Sequence, residues 1–131
     1  MAIGAGGVDL GTLANAVFTH QVEVSATIAN GASLSAAVSI PAGLRPLAIV
    51  MPATWTAANL TFAVSVDGST YNDMYDDLGT EVAVSADASR FIALPPTLFA
   101  SVVQFKVRSG TSGTPVNQGG DRTVTIVGRT Y

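Results

Sequence analysis

After residue 20 the chain alternates apolar and polar positions. In QVEVSATI (21–28), Val22, Val24, Ala26 and Ile28 alternate with mostly polar neighbours, and LSAAVSI (34–40) repeats the pattern at Leu34, Ala36, Val38 and Ile40. LAIVM places Leu47, Ile49 and Met51 on one face, and LTFAVSV does so with Leu60, Phe62, Val64 and Val66. TEVAV (80–84), RFIAL (90–94), VVQFKVR (102–108) and RTVTIVG (122–128) follow. A period of two predicts strands with one face inward and the other outward. Turn residues fall between the runs: Asn30-Gly31, Pro41 to Gly43, Pro52, Asp67-Gly68 and Pro95-Pro96. About eight short strands so punctuated predict an all-β fold, an antiparallel β-sandwich, with a jelly roll as the first expectation.

Two segments break the pattern. Residues 1–20 are rich in Gly and Ala, with a weak helical spacing at Leu10, Leu13, Ala14 and Val17. They read as an extended N-terminal arm that orders against a neighbour, because termini need a partner to become ordered. The sandwich domain is then 21–131. The second segment, SGTSGTPVNQGGD (109–121), is a long polar connection without catalytic residue types. Contact with a partner is its expected role, since connections this long are functional or flexible.

Composition narrows the function classes. Charged residues make up 11% of the chain, where globular domains average about 25%. Hydrophobic residues reach 48%, yet no stretch approaches the roughly 20 apolar residues of a membrane helix. The opening MAIGAGGVDLGTLANAVF lacks the basic stretch of a secretory signal. A water-facing chain so poor in charge is expected to bury part of its surface in an oligomer or larger assembly, because interface cores are depleted in charge. The net charge is −3, and Arg45, Arg90, Lys106, Arg108, Arg122 and Arg129 are scattered without forming a basic stripe. Nucleic acid and membrane are therefore not expected partners. With no cysteine, thiol chemistry, thiolate metal sites and a disulfide scaffold are excluded.

DGSTYNDMYDDLG (67–79) gathers Asp67, Asp73, Asp76 and Asp77. An EF-hand calcium loop needs oxygen ligands at its first, third and fifth positions, glycine at the sixth and glutamate at the twelfth. Counted from Asp67, the fifth is Tyr71, the sixth Asn72 and the twelfth Leu78; counted from Asp73, the third is Tyr75 and the sixth Leu78. Both registers fail. A non-standard calcium site at Asp73, Asp76 and Asp77 stays open as an alternative. The favoured reading is a hairpin: an Asp-Gly turn, a short strand around Tyr71–Tyr75, and an Asp-rich turn closing at Gly79.

Carboxylates for glycoside hydrolysis would need a cleft and a raised pKa, and nothing in the sequence points to either. The single histidine, His20, has no Gly-x-Ser-x-Gly elbow to serve. GAGG (4–7) lacks the Lys-Ser/Thr of a phosphate loop. Trp55, Tyr71 and Tyr75 are candidates for a sugar-stacking platform, and Phe62, Phe91, Phe99 and Phe105 for the core. The expectation is a non-enzymatic protein without cofactor, with no catalytic, cofactor-binding or metal residue assigned.

From Ile40 onward, IPAGLRPLAIVMPATWTAANLTFAVSVDGSTYNDMYDDLGTEVAV and then RFIALPPTLFASVVQFKVRSGTSGTPVNQGGDRTVTIV resemble small virion structural proteins of tailed bacteriophages, most of all head cement or decoration proteins. The resemblance covers about residues 40–128. It is carried by Pro52 to Trp55, Asp67-Gly68, Tyr75-Asp76-Asp77, Arg90-Phe91-Ile92 and Arg108-Ser109-Gly110-Thr111. It implies a jelly-roll-like sandwich on the capsid surface of the virion, bound to the major capsid protein and to itself as a homodimer or homotrimer. A tail or head-spike module that binds a receptor or glycan is the alternative it leaves.

Overall fold

The computed structural model describes residues 21–130; the expected N-terminal arm (1–20), with His20, lies outside the described residues. Among the described residues eight strands form: β1 (Gln21–Ile28), β2 (Val38–Ser39), β3 (Leu44–Val50), β4 (Leu60–Ser65), β5 (Asn72–Asp73), β6 (Phe91–Ala93), β7 (Gln104–Ser109) and β8 (Arg122–Thr130). They make two four-stranded sheets, β1-β8-β3-β6 and β2-β7-β4-β5, and every pairing is antiparallel. β1 pairs with β8, β2 with β7, β3 with β6 and β4 with β5. A long hairpin folded between β4 and β5 and then rolled up gives this pattern, and β3·β8 and β4·β7 are the contacts that close the roll. The fold is a jelly-roll sandwich.

Alternation places the core between the sheets. Ala26 and Ile28 of β1, Ile49 of β3, Leu60 and Phe62 of β4, Phe105 and Val107 of β7, and Val124 and Ile126 of β8 are buried together. Phe99, in the turns after β6, joins them. Its ring meets Phe62 edge-on at 5.1 Å and Phe105 at 5.2 Å. Each large apolar side chain among them contributes about 1.5–3 kcal/mol of burial.

Three runs depart from the simple period. LSAAVSI forms only the two residues of β2, because Ser35 takes an inward place and Leu34 faces out. The Ser35 backbone N–H donates to the Val107 carbonyl, and its Oγ accepts from the Val107 N–H. In β3 the register against β8 shifts between Pro46 and Ala48. Leu47 is the extra residue of a bulge, so it leaves the inner face expected for it. Gly128 sits opposite, where a Cβ would meet the Arg45 carbonyl oxygen; only glycine permits that approach. TEVAV pairs at two isolated bridges, Tyr75↔Glu81 and Leu60↔Val84, and β5 takes the strand position beside β4.

Candidate functional site

The acidic stretch supplies β5, the edge strand beside β4 in the β2-β7-β4-β5 sheet, with an Asp-shaped turn on either side. Asp67 Oδ1 accepts the backbone N–H groups of Ser69 and Thr70 at 2.8 Å each and the Ser65 hydroxyl at 3.0 Å. The Thr70 and then the Ser69 N–H groups, with the Ser65 hydroxyl, hold the Asp67 carboxyl below its ordinary pKa. Asp76 Oδ1 accepts the N–H groups of Leu78 and Thr80 at 2.9 Å each. Gly79, at φ 83°, closes that turn, with its N–H bonded to the Asp76 carbonyl. Both aspartates therefore shape turns by self-bonding of the Asx kind.

Asp73 has a different task. Its Oδ1 lies 2.7 Å from Arg108 Nη2, while Arg108 Nη1 reaches Glu81 Oε2 at 3.5 Å and the Thr61 hydroxyl at 3.3 Å. Arg108 and Glu81 are mostly buried, with side chains 12% and 14% exposed. Glu81 also accepts the Ser112 N–H at 3.2 Å. One guanidinium thus ties β5, the returning hairpin arm and the 109–121 loop to β7. This triad was not legible in sequence, because its members lie 27 and 35 residues from Arg108.

Asp77 is exposed. Among the described residues no three His, Asp or Glu side chains come together as a metal-binding group. The ligands proposed for calcium are instead divided between a turn cap, an ion pair and an exposed side chain.

The aromatics do not form one platform. Trp55 is 8% exposed, packed in the core cluster, and its Nε1–H donates to the Ala58 carbonyl at 3.0 Å. The exposed position that a sugar-stacking ring needs is not adopted. Tyr71 donates its hydroxyl to Gln104 at 2.5 Å, and Lys106 Nζ sits 4.5 Å from its ring centre. Tyr75 is exposed. Phe91, expected in the core, is 68% exposed. Ile92 and Leu94 take the inward parity of that strand, so Phe91 and Ala93 face out.

The long 109–121 connection is anchored to the sandwich. Gln118 is fully buried: its Oε1 accepts from the Thr56 N–H, and its Nε2 donates to the Thr56 carbonyl and the Ser109 hydroxyl. Gly110 bridges Pro115, and its carbonyl accepts from the buried Thr61 hydroxyl.

The outer face of the β1-β8-β3-β6 sheet carries a groove of about 200 Å³, lined by Gln21, Leu47, Ala48, Phe91, Val127 and Arg129. Its walls are mainly apolar. The volume is below the roughly 300–1,000 Å³ of small-molecule pockets and suits one or two side chains of another segment. Leu78 and Val66 are also exposed, at hairpin turns.

The residues behind the resemblance are spread over the sandwich, with Asp67-Gly68 and Asp76-Asp77 in the turns already described. Met51 and Pro52 hydrogen-bond Arg90 and Ser89, which sets the Pro52 to Trp55 segment beside the start of β6. Asp73 and Glu81 meet Arg108. No protein-family model matches the chain, and no curated protein and no solved structure matches it.

Proposed function

We propose that this protein is a non-enzymatic virion structural protein that binds the outside of a phage capsid and cements adjacent capsid subunits. The observation that carries the reading is the division of labour among its side chains. Acidic residues that would suit chemistry are engaged in turns and an ion triad, while Phe91, Leu78, Val66 and Tyr75 present apolar area on an ordered sandwich. The low charged content, 11%, and the resemblance of residues 40–128 to cement proteins support the same role. A cement needs contact area held in fixed geometry, repeated many times over a shell. Multiplicity then turns modest contacts into large total stabilisation.

The alternative, a glycan-binding tail or head-spike module, has less support, because Trp55 is a core residue and Tyr71 is engaged by Gln104 and Lys106. Immunogold electron microscopy of particles that carry the chain separates the two. Label spread evenly over the head is the expected outcome. Label confined to the tail or a spike would overturn the cement reading in favour of the alternative.

A further inference from the structure

We infer that the groove on the outer face of the β1-β8-β3-β6 sheet docks an extended acidic peptide segment of another protein. The peptide seats an apolar side chain on the groove floor and a carboxylate, two residues away, on Arg129. The chemistry of this site is independent of the cement reading.

The floor is apolar because of register. Val127 of β8, Ala48 of β3 and Ala93 of β6 are successive partners, so they share one row of the outer face. Phe91 stands at the wall, 68% exposed. Leu47, the inserted residue of the β3 bulge, turns onto the same floor, as bulges commonly re-aim a side chain. Gly128 permits that bulge by letting the Arg45 carbonyl approach.

The other end of the groove is cationic. Arg129 is exposed and opposes Gln21 on β1 and Arg45 on β3. Among the described residues the ion pairs involve Arg90 and Arg108, and none involves Arg129. Glu23 of β1 faces outward too, but it opposes Val127 and lies outside the groove lining. Arg129 alone is therefore enough to anchor an anion. A guanidinium binds a carboxylate by charge-assisted hydrogen bonds, and a charged group beside an apolar floor fixes the register of what docks there.

Spacing selects a peptide over a lipid. Val127 and Arg129 are two residues apart on β8 and share its outer face, which sets their Cα atoms roughly 7 Å apart. An extended peptide places its own alternate side chains on one side at that same spacing. The pattern that fits is an apolar residue, any residue, then Asp or Glu. The groove holds about 200 Å³, room for the apolar side chain and little more. An anionic bilayer is disfavoured, because the chain carries a net charge of −3 and such surfaces attract basic segments.

The test uses the peptide acetyl-Leu-Thr-Glu-amide, titrated into the isotope-labelled full chain and followed by amide chemical shifts. Saturable changes at Leu47, Ala48, Phe91, Val127 and Arg129 are expected, with a Kd in the millimolar range. Arg129→Gln, or the same peptide with Gln in place of Glu, is expected to weaken binding about fivefold. Phe91→Ala, at an exposed ring, should weaken it as well, and the spectrum of each variant establishes that it is folded. No change at these amides, or binding that Arg129→Gln leaves intact, would overturn the inference. So would shifts of the same amides with the concentration of the free chain, which would assign the face to a second copy. Phosphatidylserine vesicles that move these amides where the peptide does not would assign it to a membrane and overturn the inference too.

Discussion

Trp55 shows how one residue's environment decides between two functions. As an exposed ring it would serve a sugar; as found, it is packed in the core cluster with its indole N–H bonded to the Ala58 carbonyl. Trp55→Ala is therefore expected to destabilise the fold by about 3–5 kcal/mol, measured by urea unfolding. A loss below about 1 kcal/mol would return Trp55 to the surface. Asp67 offers a test in pH. Its carboxylate is favoured in the fold by the Thr70 and Ser69 N–H groups, so its folded-state pKa is lowered. The stability it contributes is present above the unfolded-state pKa and is lost as pH falls through the lower folded-state value. The difference in Tm between the parent and Asp67→Ala is expected to be largest near neutrality and to narrow on acidification. A difference that stays constant through that range would contradict the assignment. Neither the Trp55 environment nor the Asp67 hydrogen bonds were legible from residue type, because both depend on which parts of the chain pack around them. The Asp-Gly turn itself was legible, since its chemistry is local.

At the scale of elements, strands with a clean alternation were read correctly: QVEVSATI is β1, and LTFAVS is β4. The period failed where a polar side chain substitutes for a strand residue, as Ser35 does against Val107, and where a bulge changes parity, as at Leu47. Phe91 was misread because RFIAL fits either parity, and only packing selects which face is buried. The acidic hairpin was legible as turns, but not its attachment to β7 through Arg108. Arg108→Ala would leave Glu81 mostly buried without its cation. The expected loss is about 2–3 kcal/mol, below that of a fully buried pair because Asp73 is partly exposed. A double-mutant cycle with Glu81→Gln should return a coupling energy of about 1 kcal/mol or more. Additive losses would mean that the triad does not fasten the hairpin.

The whole molecule joins an ordered sandwich to a surface poor in charge. The jelly-roll expectation was legible at the level of strand number and turn spacing, whereas the pairings β3·β8 and β4·β7 that define it are non-local and leave no signal in a single sequence. The proposed role also belongs to this scale, since cementing requires many copies acting on one shell and no reacting group within any copy. Loss of the protein should therefore weaken the particle without altering the capsid subunit itself. The most direct measurement is the temperature at which packaged DNA escapes from particles lacking the protein, before and after the purified chain is added back. The cement account predicts escape at a lower temperature without the chain and recovery on its addition. The same escape temperature in both preparations would contradict it.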